Sequence, residues 1–233
     1  MSNGCQPAPV SVILPCHNEE PNIARVVRDC RRVLQGRAHQ ILVVDDGSSD
    51  RTSHQADRAG ADVISLARNM GKGEALLAGA RAARHELLLF MDGDGQDDPK
   101  DIPRLLRLFD GDWADLVIGS RFLGVLYPGA IHPLNRVVNQ ALTALIATLF
   151  RVQVTDSQAG FRALKRDPFL ALGIAAREYD VETDMLLKAL KAGWRVREVA
   201  VTRYPRGGSE TGFHRLRHGV LILTAILRER LRP

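Results

Sequence analysis

Three short polar loops, each directly after an apolar run, constrain the fold of this 233-residue chain more than any other feature. The runs occupy residues 10–14, 41–44 and 87–91, and helical patterns separate them. Strands that alternate with helices in this way predict βαβ units and a mainly parallel sheet covered by helices on both faces. Because the carboxyl ends of parallel strands lie at one edge of a sheet, we expect the three loops to form a single ligand crevice.

The composition, 45% hydrophobic and 25% charged, is that of an ordinary globular protein. The three cysteines are odd in number and form no CxxC pair, which argues against a disulfide framework or a zinc site and favours a reducing compartment. We find no secretory signal and no uninterrupted apolar run of about 18 residues, so no membrane-spanning helix is predicted.

The net charge of +5 is unevenly distributed, because residues 191–233 contain ten Lys or Arg against three Asp or Glu. This basic end predicts an anionic partner, either phosphate groups or a membrane surface. A solvated basic face is the alternative interpretation. We expect no nucleic-acid partner.

The acidic loop after the third run is a candidate metal site. Asp92 and Asp94 flank Gly93, so their carboxylates can converge on one Mg²⁺ or Mn²⁺ and leave positions for phosphate oxygens. Such a metal bridges a diphosphate and offsets charge on a leaving group. An isolated Asp-x-Asp is more often an acidic turn, but its place at a strand end beside two other polar loops favours the metal site.

The other two loops suit a nucleotide-type ligand. Asp45 and Asp46 end the second strand and can accept hydrogen bonds from a base or ribose, although an Asp-Asp-Gly-Ser run can also be a turn and helix cap. Lys72 lies between glycines at a helix start, where charge and backbone N–H groups suit a phosphate. The spacing is not that of a Walker A loop.

Together these segments resemble glycosyltransferase family 2, most closely the polyprenol-phosphate (dolichol-phosphate) mannosyl- and glucosyltransferases. The resemblance is carried by residues 43–52, 69–73, 91–96 with Pro99, 119–122, 156–162 and 199–209, and it covers roughly residues 10–210. It implies an α/β, GT-A (Rossmann-like) fold with a mainly parallel central sheet flanked by helices, C-terminal amphipathic helices, and an inverting transfer.

The domain organisation that follows has three parts. Residues 1–9 form a flexible N-terminus, residues 10–210 the GT-A domain, and residues 211–233 a basic, apolar C-terminal helix. The GT-A domain divides into a nucleotide-sugar half, 10–120, and an acceptor half, 121–210.

The resemblance also implies roles for individual residues. The nucleotide-sugar would be bound by Pro15, His17, Glu19, Val44, Asp45, Asp46, Lys72, Asp92 and Gln96. Mg²⁺ or Mn²⁺ would be held by Asp92, Asp94 and Gln96, the acceptor phosphate by Arg121, Arg136, Arg206 and Ser209, and catalysis would rest on Asp92, Asp94 and Arg121.

The implied donor is GDP-mannose or UDP-glucose and the implied acceptor a polyprenyl phosphate, with the protein peripheral on the inner, cytoplasmic face of a membrane. A phosphate monoester has a second pKa near ~6, so it is largely dianionic at neutral pH and can attack without a general base. A sugar hydroxyl, as in polysaccharide or cell-envelope synthesis, would need a base such as Asp156, Glu182 or Asp184.

Two further alternatives remain at this point. A nucleotidyltransferase would need a glycine-rich loop after the first strand, which residues 15–18 do not supply. A nucleotide-sugar-binding protein without catalysis would not depend on Asp94.

One departure from the family pattern concerns the acceptor. Relatives often have a lysine after the serine that corresponds to Ser209, and here Glu210 follows, so Arg203, Arg206 or Arg215 would have to replace that charge. Two apolar segments, 137–150 and 220–227, are either membrane-interface segments or ordinary core helices.

Overall fold

The computed structural model describes residues 7–176 and 181–207, together with residues 223, 224, 226 and 229. Most of the predicted C-terminal helix at 211–233, and residues 1–6 of the predicted N-terminal segment, therefore lie outside the described residues. Within the described part, no helix is both long enough and apolar enough to cross a membrane.

One seven-stranded sheet organises the described chain, in the order β3-β2-β1-β4-β6-β5-β7. The strands are β1 (Val10–Cys16), β2 (His39–Asp45), β3 (Asp62–Ser65), β4 (Leu87–Phe90), β5 (Leu116–Leu126), β6 (Arg162–Lys165) and β7 (Val196–Arg203). β6 runs antiparallel to both of its neighbours, and all other neighbouring pairs are parallel. The predicted mainly parallel sheet is confirmed.

Helices cover both faces of this sheet. They are α1 (Ile23–Val33), α2 (Thr52–Arg58), α3 (Lys72–Ala82), α4 (Ile102–Asp110), α5 (Pro133–Phe150), α6 (Arg166–Ala171) and α7 (Val181–Lys191). Alternate residues of β1 enter different cores: Val12 and Leu14 pack with α1 and α4, whereas Ile13 packs with α3. Burial on both faces is why the strands read as continuous apolar runs.

β1 continues beyond the apolar run at 10–14, through Pro15 to Cys16. The pairing of β1 with β4 stops at Ile13, whose carbonyl accepts the last bond from the Met91 N–H. The backbone nitrogen of Pro15 points to the same side of β1 as the Ile13 backbone, towards β4. Because β4 has already ended at this level, the missing N–H of Pro15 removes no hydrogen bond between strands.

β5 is the longest strand, from Leu116 to Leu126, and a bulge interrupts its pairing with β7. Ser120 pairs with Ala200, but the next pair is Val125 with Thr202, so residues 121–124 are extruded from the ladder. Gly124 lies so close to the Val201 backbone that a side chain there would overlap with it. The bulge projects Arg121 and Phe122 from the carboxyl-end edge of the sheet.

Candidate active site

The loop after β1 is joined to the loop after β2, as the sequence predicts. The Nδ1 atom of His17 lies 2.9 Å from the carbonyl oxygen of Asp46. The Asn18 N–H donates to the Ser48 hydroxyl at 2.9 Å, and the Glu19 N–H donates to the Thr52 hydroxyl at 2.8 Å. These bonds hold both loops as one wall of the crevice, with Pro15 and Val44 paired in register just beneath them.

Asp45 and Asp46 are buried and shape this wall. Asp45 accepts from the Ser48 N–H at 2.9 Å and from the Ser53 hydroxyl, which is the contact of a turn. Asp46 accepts from the N–H groups of Met70 and Gly71 at 2.6 and 2.9 Å and so holds the loop that leads into α3. The structure thus gives both aspartates a structural role, and their contact with a nucleotide stays a prediction.

Lys72, at the start of α3, lies between two carboxylates. Its Nζ is 2.6 Å from Oδ1 of Asp92 and 2.6 Å from Oε1 of Glu182, in the first turn of α7. Burial alone would lower the pKa of Lys72, but these two carboxylates outweigh it and raise the pKa. A side chain at Gly160 would lie 2.8 Å from the Lys72 Nζ and 3.1 Å from Asp92 Oδ1, so glycine leaves the space that this ion pair needs.

Asp92 and Asp94 follow β4 directly and lie among the side chains of Lys72, Arg203 and Arg206. Burial would raise the pKa of Asp92, but the positive charges of Lys72 and Arg203 lower it to about 2, so the carboxylate is ionised at neutral pH. Asp94 lies 3.8 Å from Arg203 and 3.9 Å from Arg206. Gly93 packs against the sulfur of Cys16, where any side chain would overlap with it.

Arg203, at the end of β7, is a site residue that the sequence argument named only as a replacement for a missing lysine. It is buried and contacts Asp97 at 2.8 Å, the Gln96 side-chain oxygen at 2.9 Å, and Asp92 at 4.0 Å. Burial would lower its pKa, but the carboxylates around it raise the pKa instead. Burial raises the pKa of Asp97, with the charges of Asp92 and Asp94 adding to the effect, although Arg203 opposes it.

Gln96 links three segments of the chain. Its side-chain nitrogen donates to the carbonyls of Ala130 and Tyr204 at 3.2 and 2.9 Å, and its side-chain oxygen accepts from Arg203. The oxygen that the metal prediction assigns to Gln96 is therefore committed to Arg203 in this structure. Metal ligation by Gln96 stays a prediction, because an amide oxygen has a second lone pair.

Arg121 and Arg136, two of the predicted acceptor-phosphate residues, both lie close to one aromatic ring. The guanidinium carbons are 5.8 and 5.9 Å from the centroid of Phe122, within cation–π range. The bulge in β5 supplies Arg121, and the first turns of α5 supply Arg136. Two of the four residues predicted to bind the acceptor phosphate therefore lie together beside Phe122.

Arg121 also forms a two-pronged ion pair with Asp156. Its Nε and Nη2 donate to the two carboxylate oxygens at 2.6 and 2.7 Å. Burial would raise the pKa of Asp156, but Arg121 lowers it. Asp156, a candidate general base in the sequence argument, therefore has both oxygens engaged by an arginine.

Arg206, predicted as an acceptor residue, forms ion pairs on the opposite wall. It contacts Glu19, a predicted nucleotide residue, as well as Asp94. Asn22 donates to Glu19 at 2.9 Å and to the Gly207 carbonyl at 3.0 Å, so the segment after β7 lies against the loop after β1. Ser209 and Glu210 lie outside the described residues.

The donor chemistry of Asp92 and Asp94 fits a hard divalent cation, because both are oxygen ligands in a negatively charged cluster. No group of three or more His, Cys, Asp or Glu side chains is arranged for metal binding among the described residues. Among the described residues, a metal ion would therefore have two carboxylate ligands, Asp92 and Asp94. Lys72, Arg203 and Arg206 balance their charge in the structure.

Comparison with known proteins places this geometry in context. The model of a family described as "Glycosyl transferase family 2" matches residues 11–173. Glycosyltransferase AglJ of Haloferax volcanii is 34% identical over 225 residues, which is 95% of this chain and 72% of that protein. Polyprenol monophosphomannose synthase of Mycolicibacterium smegmatis is 33% identical over 213 residues, 82% of this chain and 76% of that protein.

Among solved structures, glucosyl-3-phosphoglycerate synthase from Mycobacterium tuberculosis in complex with Mn²⁺, uridine diphosphate and phosphoglyceric acid is similar in fold. The TM-score is 0.75 at 22% identity, covering 97% of this chain and 80% of that chain. The same enzyme in complex with phosphoglyceric acid alone gives a TM-score of 0.77 at 23% identity, covering 97% of this chain and 81% of that chain. This likeness, together with the sheet described above, confirms the GT-A fold.

Proposed function

Because the chain belongs to glycosyltransferase family 2, we propose that it transfers mannose or glucose from a GDP- or UDP-sugar to a polyprenyl phosphate at a membrane surface, with inversion at the anomeric carbon. The arrangement of charged side chains around Phe122 is the observation that favours a phosphate acceptor. Two arginines meet there, and Asp156, the carboxylate beside them, already accepts from Arg121 through both oxygens. A phosphate needs such cations and needs no base.

The donor would lie along the loops after β1, β2 and β4. Asp92 and Asp94 would hold Mg²⁺ or Mn²⁺, which when bound neutralises the diphosphate and stabilises it as a leaving group. A fold neighbour crystallised with Mn²⁺ and uridine diphosphate supports this assignment. Lys72 and Arg206, both within ion-pair distance of these aspartates, are the cations placed to take the diphosphate oxygens.

The acceptor would enter from the side of α5. Arg121 and Arg136 would orient its phosphate, and a phosphate oxygen would attack the anomeric carbon as the bond to the nucleoside diphosphate breaks. Asp156 keeps the Arg121 fork in one orientation and shares its charge, so the arginine positions the nucleophile without fully neutralising it. The M. smegmatis relative named above is a polyprenol monophosphomannose synthase, which supports a lipid phosphate acceptor.

Transfer to a sugar hydroxyl is the competing proposal, and it needs a carboxylate that can take a proton. Each candidate base is held by a cation: Asp156 by Arg121 at 2.6 Å, Glu182 by Lys72 at 2.6 Å, and Asp184 by Lys188 at 2.9 Å. Burial would raise the pKa of Asp156, but Arg121 lowers it, so this carboxylate is a weaker base than a free one. These contacts favour the acceptor that is already ionised.

The direct test supplies radiolabelled GDP-mannose or UDP-glucose, with Mg²⁺ or Mn²⁺, to the purified protein. The acceptors are undecaprenyl phosphate, 3-phosphoglycerate and a neutral oligosaccharide, in separate reactions. We expect label in the organic phase only with undecaprenyl phosphate, and none with the Asp94→Asn variant. Label in a water-soluble product alone, or no transfer from either donor, would contradict the proposal; nucleotide binding without turnover would indicate a non-catalytic protein.

A further inference from the structure

Glu198 of β7 binds the segment that carries Asp156, the partner of Arg121. Its Oε2 accepts from the Thr155 N–H at 2.8 Å and from the Thr155 hydroxyl at 2.9 Å. Its Oε1 accepts from the Asp156 N–H at 3.0 Å. One carboxylate thus holds the backbone of two successive residues, and the second of them is the residue whose side chain pairs with Arg121.

Glu198 is also connected to the β5 bulge, through two hydroxyl groups. The Thr155 hydroxyl lies 2.6 Å from that of Ser120, and Ser120 accepts from the Leu123 N–H at 3.3 Å. A hydroxyl has one proton, and the Thr155 proton goes to Glu198, so Ser120 is the donor to Thr155. The hydrogen bonds therefore all run in one direction, and the Glu198 carboxylate is where they end.

The charge of Glu198 suits the end of such a chain. Glu198 is partly buried, and burial raises its pKa, although the bonds from Asp156 and Thr155 oppose the rise. Only the ionised carboxylate accepts through both oxygens without carrying a donor of its own. Three donors directed at Glu198 therefore favour its ionised form.

Arg121 depends on this arrangement at both its backbone and its side chain. Its N–H donates to Asp156 Oδ2 at 3.1 Å, and its Nε and Nη2 donate to the two carboxylate oxygens of Asp156. Residues 121–124 leave the ladder with β7, so their backbone needs partners outside the sheet. Glu198 itself pairs with Ile118 in the regular part of the ladder, which gives the bulge a rigid support.

We infer that Glu198 is a positioning residue, which sets the orientation of the Arg121 guanidinium through the 155–156 segment and the β5 bulge. It would act through Arg121 rather than on the substrate. The inference deepens the proposed function and rests on it for the catalytic consequence, since Arg121 is proposed to orient the acceptor phosphate. The effect on Arg121 itself can be measured without any substrate.

The first test follows the Arg121 side chain by NMR in the ¹⁵N-labelled full chain. Glu198→Gln keeps the length of the side chain but places an NH₂ donor opposite an N–H or O–H donor. The Arg121 Nε–H signal, assigned by its absence from Arg121→Lys, should exchange with water about tenfold faster in Glu198→Gln. Glu86→Gln is the matched control, because Glu86 is exposed and precedes β4, and its exchange rate should equal that of the wild type.

The second test measures steady-state kinetics with the acceptor that the wild type uses. Glu198→Gln should lower kcat/KM for the acceptor about tenfold and change the KM for the nucleotide-sugar by less than about twofold. In the Arg121→Lys background the same substitution should lower kcat/KM by less than about twofold, because its effect passes through Arg121.

Thr155→Val examines the same connection without changing Glu198. It removes the hydroxyl between Glu198 and Ser120 and leaves both backbone bonds to Glu198 in place. We expect Arg121 exchange to accelerate and acceptor kcat/KM to fall, each by about threefold.

A lower melting temperature in Glu198→Gln, with wild-type Arg121 exchange and wild-type acceptor kinetics, would make Glu198 merely structural and overturn the inference. An equal loss of kcat/KM in the Arg121→Lys background, or the same changes in Glu86→Gln, would also overturn it. Faster Arg121 exchange in a protein that uses none of the three acceptors would refute the proposed function and leave the positioning of Arg121 standing. Transfer to undecaprenyl phosphate with unchanged Arg121 exchange in both Glu198→Gln and Thr155→Val would do the reverse.

Discussion

At the scale of single residues, Asp156 shows how a buried carboxylate depends on one partner. It is completely buried, and Arg121 occupies both of its oxygens. Removing one member of a buried pair leaves an uncompensated charge, so Arg121→Ala should lower the free energy of unfolding by about 3–5 kcal/mol at neutral pH. Urea denaturation of the wild type and the variant measures this difference in the free energy of unfolding.

The pH dependence of that loss follows from the pKa of Asp156. In the wild type Arg121 holds the pKa low despite burial, so the pair contributes stability above the unfolded-state pKa of about 4 and loses it as pH falls through the folded-state value. Without Arg121, burial raises the folded-state pKa, and the variant loses stability as pH rises. The difference between the two proteins should therefore shrink from pH 7 towards about pH 4. A constant difference would contradict this account.

Gly160 gives a second prediction at this scale. An alanine Cβ would lie 2.8 Å from the flexible end of Lys72, so Gly160→Ala should displace that ammonium from Asp92 with little effect on folding. We expect kcat/KM for sugar transfer to fall about tenfold to a hundredfold, with a nearly unchanged melting temperature. Gly173→Ala is the contrasting control: the site is open but has a φ of +61°, so it should cost about 1 kcal/mol of stability and leave turnover unchanged. The same response in both variants would refute the role of the space at Gly160.

The positions of site residues could be predicted where those residues directly follow a strand. They could not be predicted where a residue is placed by a contact with a part of the chain far away in sequence. Asp45, Asp46, Asp92 and Asp94 follow apolar runs, and the rule for parallel sheets is enough to bring them together. The position of Arg203 could not be derived, because its contact with Gln96 joins residues 107 apart in sequence across an isolated bridge. No local pattern encodes such a contact.

At the scale of elements, Arg162 of β6 connects the loop at 157–160 to α7. It is fully buried and donates to the carbonyls of Ser157, Ala159 and Glu182 at 2.6–2.7 Å. Burial lowers its pKa to about 10, so it is still protonated at neutral pH. Through these bonds Arg162 fixes the backbone at Glu182 and in the 157–160 loop, and both segments lie next to Lys72. The guanidinium of Arg162 is itself buried and does not line the crevice.

Replacing Arg162 tests this connection. A lysine ammonium cannot reach three carbonyls in different directions, so Arg162→Lys should lower the free energy of unfolding by about 3 kcal/mol. Arg166→Lys is the control, because that side chain is 30% exposed and should change stability by less than about 1 kcal/mol. Urea unfolding of both variants gives the comparison, and equal changes would contradict the anchoring role.

The elements themselves were predictable to different degrees. The strands and helices up to residue 110 follow from periodicity, because both sheet faces are covered and each strand is a clear apolar run. The full length of β5 could not be predicted from periodicity, since the bulge at 121–124 removes the strand's regular alternation. α6 was also missed: it has only six residues, too few for a helical period, and Pro168 lies within it.

At the scale of the whole molecule, the crevice joins segments from most of the chain around one cluster of opposite charges. Asp92 and Asp94 follow β4, Lys72 begins α3, and Arg203 and Arg206 come from the end of β7 and the segment after it. A divalent cation that binds alone must displace these cations from the carboxylates. A nucleoside diphosphate supplies new anionic partners for the same cations, so metal and nucleotide should each strengthen the binding of the other.

Thermal denaturation with Mn²⁺ alone, UDP or GDP alone, and both together tests this coupling. A ligand at 100 times its dissociation constant stabilises the native state by about 2.7 kcal/mol, so specific binding is easily seen as a shift in melting temperature. We expect a small shift with metal alone, a modest one with nucleotide alone, and a shift with both that exceeds their sum. Asp94→Asn should abolish the excess while keeping the nucleotide shift, since the Asp46-anchored loop remains. If the melting-temperature shifts of the wild type are purely additive, Lys72, Arg203 and Arg206 do not compete with the metal for Asp92 and Asp94.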